Sequence, residues 1–325
     1  MSTECKPGLP PALAGLGRVA VHMADPGAHA VLSRLARRLE AGGADVRFLL
    51  EGWSAAHAAV PADAVLPDVA AAASRDALLL GARSDFAATR ALIDRCRVLG
   101  LPTLFVFDAW KNHRLNFVDP AGGAVSLPDR VGVIDAYQEG LVRAALADAL
   151  AEGQAVRIVV LGHAALEEQA AAVAAQSGET CARLRRRLGA EEGRRLLLFL
   201  SEPMRRDYRE VNGLDPGYDE RDALAAFFRD HVRPGDRAAV KLHPRQDVAE
   251  TAAFLAGLGL PEAPAVLADE PLEPLLAAAD HVFGMTSTAL HAAIAAGRAV
   301  TSLQPGRNAY GRTLSHPALE ARLAT

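Results

Sequence analysis

The run Lys241-Leu242-His243-Pro244-Arg245 sets two cations around an imidazole at the end of a short β-like segment. Pro244 has no backbone donor and holds the preceding residue in extended backbone, which fixes where the His243 ring points. Lys241 and Arg245 favour an anion beside that ring. Further on, Gly284-Met285-Thr286-Ser287-Thr288 places three hydroxyls where a strand turns into a helix. Hydroxyls and backbone N–H groups at a helix start hold phosphate. The plainer reading of the same residues is capping alone, and the two are compatible, because a capping hydroxyl can also face a ligand. Two such runs in one half of the chain imply a nucleotide mono- or diphosphate sugar as ligand. Glu273, in Leu272-Glu273-Pro274-Leu275, lies between a strand and a helix start and could accept both ribose hydroxyls. Glu270 is its rival, and a first-turn helix acid is the plainer account.

The first half offers one comparable cluster. Phe107-Asp108-Ala109-Trp110-Lys111-Asn112-His113-Arg114 packs polar, aromatic and basic groups after a strand in an otherwise Ala-rich chain. Asp108 at the strand end is the candidate base, with Trp110, Asn112 and Arg114 as candidates for the acceptor side. A turn aspartate with a buried Trp anchor is the alternative. Asp25-Pro26-Gly27 follows the first strand and is the rival acidic site, or simply a β-turn.

These residues need strands to carry them, and the pattern supplies strands. Short β-rich runs alternate with helical ones: Arg18-Met23, Val46-Leu50, Ala77-Leu80, Thr103-Phe107, Val131-Ile134 and Val156-Leu161 in the first half. Leu196-Leu200, Ala238-Leu242, Ala265-Leu267, His281-Gly284 and Val300-Leu303 follow in the second. Such alternation predicts parallel sheets with helices on both faces. A long helical pattern from Leu166 to Leu188 ends in the polar, Gly-containing run Gly189 to Arg195, which predicts a domain boundary there. The expected fold is therefore α/β, with two Rossmann-like domains, residues 1–190 and 191–325, facing a central cleft. Ligands of such sheets bind at the carboxyl ends of strands, near a switch point.

Composition narrows the function. At 325 residues with half of them hydrophobic the chain is globular, and a net charge of −4 leaves no basic field for nucleic acid. The three cysteines lie far apart with no C-x-x-C pair, which points away from zinc and disulfides. The N-terminal residues read as no signal peptide, and no apolar stretch is long enough to span a membrane. The expectation is a cytoplasmic protein, with peripheral membrane association left open. No Walker A run is present, no G-x-G-x-x-G follows a strand, and no Asp-x-Asp pair or H-E-x-x-H occurs. No metal and no cofactor are expected.

Together the motifs resemble those of the bacterial GT-B sialyltransferases and their relatives that add polysialic acid or Kdo-like sugars. The resemblance rests on Lys241-Leu242-His243-Pro244, on Ser287-Thr288 and on the Leu272-Glu273-Pro274-Leu275 segment; Ser201-Glu202-Pro203 and Ser302-Leu303-Gln304-Pro305 fall at similar turns. It covers mainly residues 196–306. It implies an inverting, metal-independent glycosyltransferase of cell-surface glycan biosynthesis, with a CMP-sugar donor and a glycan or glycosylated acceptor. His243 would support the departing phosphate and the hydroxyls would bind it. The family's acceptor-activating acid sits in an acidic pair followed by Gly, whereas here Asp108 stands in Phe-Asp-Ala-Trp without either. Two other readings fit the residues: a UDP-sugar 2-epimerase or hydrolase of the same architecture, and a non-catalytic sugar-nucleotide or glycan-binding protein.

Overall fold

A computed structural model describes residues 9–191, 193–305 and 316–324. The chain divides into two compact units, the first ending at Ala165 and the second beginning at Leu166. Each is a parallel sheet with helical crossovers.

The first unit holds six strands: β1 (Arg18–Met23), β2 (Asp45–Leu50), β3 (Ala77–Gly81), β4 (Thr103–Val106), β5 (Arg130–Val133) and β6 (Arg157–Val160). Their order is β2-β1-β3-β4-β5-β6, all pairs parallel. The central strands are runs of Val, Leu and Phe because both faces are covered. Val19, Val21, Leu79, Leu104 and Val106 pack on Val31, Leu32, Leu35 and Leu39 of the helix Pro26–Ala41. Each fully buried Leu contributes about 1.5–3 kcal/mol by burial. Gly81 lets that helix close on β3, since a Cβ there would fall 2.4 Å from Cβ of Ala28. The close approach seats the helix start, and with it Asp25 and Gly27, at the carboxyl edge of the sheet.

The second unit holds β7 (Leu196–Leu200), β8 (Arg237–Lys241), β9 (Ala265–Leu267), β10 (His281–Gly284) and β11 (Val300–Ser302), ordered β11-β10-β7-β8-β9 and again parallel. Its division from the first unit comes earlier than the polar run 189–195. The single long helix expected over 166–188 is two helices, Ala164–Ala174 and Gly178–Arg187. Ser177 starts the second by accepting from the Thr180 N–H at 3.2 Å. Val173, Leu184 and Leu188 join the core of Leu196, Leu198, Leu275 and Leu276, so these helices bury their apolar faces with the second sheet. Hydrophobic burial, not the polar run, sets the division.

Each sheet has one switch point, where the chain reverses its direction of addition. In the first it lies between β1 and β3, in the second between β7 and β10. Among the described residues no helix is long and apolar enough to cross a membrane.

Candidate active site

The carboxyl edge of the second sheet brings most of the expected residues together. His243 follows β8, Ser201 and Glu202 follow β7, and Thr286 and Ser287 follow β10. These three strands are neighbours. The His243 turn is built by short-range bonds. Its N–H donates to Oε1 of Gln246 at 2.9 Å, and the amide of Gln246 donates to Oγ of Ser201 at 2.9 Å. The Arg245 N–H donates to Nδ1 of His243 at 3.2 Å. A nitrogen that accepts carries no proton, so Nε2 is the proton-bearing atom of the ring in this arrangement.

At the switch point a buried acid meets the hydroxyl run. Glu202, 5 % exposed, accepts from the Thr286 N–H at 2.6 Å and from its hydroxyl at 2.8 Å. Thr286 is thus held by Glu202 through both its N–H and its hydroxyl. Ser287 accepts from the Ala289 N–H at 3.2 Å and caps the helix Thr288–Ala295. Gly284 is a packing glycine: a Cβ would lie 3.1 Å from the Leu200 carbonyl. Behind it the hydroxyl of Ser302 donates to the Met285 carbonyl at 2.6 Å, and Gln304 donates to Ser302 at 3.0 Å.

Two of the expected cations serve the protein itself. Nζ of Lys241 donates to the carbonyls of Leu242 and Ala268, at 3.1 and 2.6 Å, and burial draws its pKa below the ordinary lysine range. Lys241 therefore ties the β8 and β9 turns together. Arg245 makes a two-pronged pair with Asp207 at 2.6 and 2.7 Å. Ala268 and Asp207, the distant partners of these two cations, are not announced by the sequence around them. Glu273 sits in the first turn of the helix Leu272–Ala278, where Oε1 accepts from Gln169 at 3.2 Å. Its rival Glu270 pairs with Arg187 at 2.5 Å.

The carboxyl edge of the first sheet gathers acids. Asp25 lies at its switch point and Oδ2 accepts from the Ser84 N–H at 2.5 Å. Asp108 follows β4 and presses on the helix start: a Cβ on Gly27 would fall 1.9 Å from its Oδ2. Only glycine leaves room for that carboxyl group, so Gly27 is a space requirement set by Asp108. Burial pushes the Asp108 pKa above the usual carboxylate range, opposed by Lys111 and His163 and assisted by Asp25. His163 meets the Asp108 backbone carbonyl at 3.0 Å and stacks on Trp110.

Three acceptor-side expectations change. Trp110 is buried and its indole donates to Asp135 at 3.0 Å, so it anchors the turn. Asn112 adopts a left-handed φ of 60° and its carbonyl accepts from Asn116 at 2.8 Å, which makes it a turn residue. Arg114 makes a two-pronged, exposed pair with Asp148 at 2.8 and 2.7 Å.

Glu51, after β2, escaped the sequence reading. Nε2 of His22 lies 3.4 Å from it and Nη1 of Arg83 2.9 Å, and these partners hold its pKa down to about 2. One edge therefore carries a carboxylate kept ionised, after β2, and another pushed towards neutrality, after β4. Environments that drive two acids apart in this way separate their roles. The position of Glu51 directly after a strand was the available signal. Glu202 carried the same signal, having been noted only as part of a turn. Among the described residues no three His, Cys, Asp or Glu side chains gather as metal ligands would.

No protein-family model matches the chain, and no curated protein matches it. Solved structures do match it in fold. The UDP-GlcNAc 2-epimerase of Neisseria meningitidis bound to UDP-GlcNAc aligns over 94 % of this chain and 85 % of its own, with a TM-score of 0.59 and 10 % identity. A glycosyltransferase from Rickettsia africae aligns over 89 % and 79 %, with a TM-score of 0.56 and 10 % identity. Anabaena HepE in complex with UDP aligns over 88 % and 80 %, with a TM-score of 0.50 and 14 % identity. The chain has the GT-B type of fold, two Rossmann-like units in tandem.

Proposed function

We propose that the chain is a sugar-nucleotide enzyme, an inverting and metal-independent glycosyltransferase whose donor is a CMP-linked sialic-acid-like or Kdo-like sugar. The observation that carries this reading is the His243 turn. Gln246, Pro244 and the Arg245 N–H fix a ring whose Nε2 bears the proton, on the strand edge that also presents the Ser287 cap. A fixed neutral donor stabilises charge that grows on a leaving phosphate, without reorganisation during the reaction. Ser287 and Thr288 at the helix start add donors for the same phosphate, and Glu273 takes the ribose hydroxyls.

In the reaction Asp108 accepts the proton of the acceptor hydroxyl, whose oxygen forms the new bond to the anomeric carbon. The bond from that carbon to the phosphate oxygen breaks, and the nucleotide leaves with the electron pair. A raised pKa suits Asp108 to this role, because a general base works best near the operating pH. Lys241, Thr286, Arg245 and Glu202 position the groups that act.

The test is His243→Ala. Turnover should fall roughly 10²- to 10³-fold, while nucleotide affinity weakens by about 1.5–3 kcal/mol. A folded variant with near-normal turnover would remove the assignment. EDTA should leave activity intact, and strict dependence on Mg²⁺ or Mn²⁺ would point to another transferase class.

A second reading, a UDP-sugar 2-epimerase or hydrolase, is favoured by the fold likeness to the epimerase. Thermal shifts against CMP, UDP, CDP and GDP separate the two: stabilisation by CMP alone supports the transferase, and by UDP alone the epimerase.

A further inference from the structure

Against the His243 turn the second unit has a cavity of about 230 Å³, whose wall on that side is Arg245, Gln246 and Asp247. Three further elements complete the wall: the π-helical turn Arg205–Glu210, the start of the helix Glu220–Asp230 and the start of the helix Val248–Gly257. Arg205 and Arg221 enter from the first two and converge on one oxygen, Oε1 of Glu250, which comes from the third. Arg221 reaches it at 2.5 Å and lies over the Phe254 ring, 5.4 Å from its centre. Arg206 adds a third guanidinium to the wall.

Arg205 also reaches Oε1 of Glu210 at 3.2 Å, so Glu250 and Glu210 share the guanidiniums of Arg205 and Arg221, with Arg206 beside them. The Glu250 side chain is half exposed, with a relative accessibility of 49 %. Ion pairs of that exposure contribute little to stability, so Glu250 can leave its partners at small cost. Guanidiniums present paired donors that match the oxygens of phosphate and carboxylate. At the cavity wall Glu220 accepts from the Arg205 N–H at 2.8 Å. Burial pushes the Glu220 pKa up to about 7, so near neutrality it opposes an incoming anion with only part of a full negative charge.

We propose that this cavity is a second anion site, taking a phosphate- or carboxylate-bearing group of a substrate, and that Glu250 fills it as an internal stand-in until that group arrives. The site does not depend on the role given to His243, and the two ideas can fail separately.

The probe is inorganic pyrophosphate at low ionic strength, followed by calorimetric titration on wild type, Glu250→Gln, Arg221→Ala and His243→Ala. Glu250→Gln removes the internal competitor and should tighten binding several-fold. Arg221→Ala should weaken it about tenfold, and His243→Ala should leave it unchanged. Circular dichroism checks that the three variants fold, which both exposed substitutions should permit. Binding that is lost with His243→Ala and ignores Glu250→Gln and Arg221→Ala would put the anion at the histidine and overturn the proposal. Absence of pyrophosphate binding to wild type and to Glu250→Gln would overturn it as well.

Discussion

The two carboxyl edges solve the same structural problem with opposite electrostatics. At each switch point an acid accepts from the opening turn of the neighbouring crossover: Asp25 from Ser84 in the first unit, Glu202 from Thr286 in the second. Around that shared device the first edge collects carboxylates in unequal environments, Asp108 raised by burial and Glu51 held at about 2. The second edge pairs its charges internally, through Lys241 on two carbonyls and Arg245 on Asp207. What remains there for chemistry is a set of neutral donors. A base belongs where a proton must be taken, and fixed donors belong where negative charge must develop. On the proposed reading, proton removal falls to the first edge and phosphate stabilisation to the second.

The largest expected effect tests the first edge. Asp108→Asn should lower turnover about 10²- to 10⁴-fold, the usual range for a general base, and leave nucleotide affinity unchanged. It should also raise the melting temperature. Burial raises the folded pKa of Asp108, so its stabilising contribution is complete below the unfolded carboxylate pKa and is lost as pH rises through the folded value. The advantage of the Asn variant should therefore grow as pH rises above the ordinary carboxylate range. The acid limb of the wild-type pH–rate profile should sit above the ordinary carboxylate range. An Asn variant less stable than wild type at pH 8, or one with normal turnover, would return Asp108 to a structural role and leave Asp25 as the rival. His243→Ala comes next in size, with an effect confined to the second edge.

Glu202→Gln probes the shared device. The change removes a buried charge that takes two donors from Thr286. A mismatched amide there should cost about 1–3 kcal/mol of stability and loosen the Ser287 cap, so turnover should fall less than with His243→Ala. Denaturant melts with kinetics on the folded fraction would show it. A variant as stable as wild type would mean that the pair does not hold the turn.

What the sequence revealed and what it hid follow from range. Arg18–Met23, Leu196–Leu200, Ala265–Leu267 and His281–Gly284 are strands as read. Local periodicity decides such elements. The break at Ser177 was missed because both flanking helices carry helix-favouring Ala and Arg, and one cap residue ends the first run. Candidate site residues were legible as positions after strands. Their partners were not, because Glu202 meets Thr286 and Asp207 meets Arg245 only after the sheet has closed. Pairings at that separation leave no spacing to read, so the internal partners of Lys241, Arg245, Thr286 and Trp110 came only with the structure.

The smallest expected effect concerns Arg114, and it marks where the acceptor side of the first edge stops. Its guanidinium pairs with Asp148 through two bonds and also donates to the Ala145 carbonyl at 2.8 Å. Asp148 holds the Arg114 charge, and Arg114 in turn holds the Asp148 pKa down to about 2. Both side chains are exposed, so solvent screens the pair and the pair decides little about stability. Arg114→Ala should then leave turnover and acceptor KM at wild-type values, with a small fall in melting temperature that high salt narrows, since salt weakens the pair in wild type. A rise in acceptor KM with unchanged kcat would reverse this. It would mean that Arg114 exchanges Asp148 for an anionic acceptor group, and the first edge would then extend from Asp108 to the Asp148 helix. Unchanged kinetics in Arg114→Ala beside a collapsed rate in Asp108→Asn would instead confine acceptor chemistry to the strand ends.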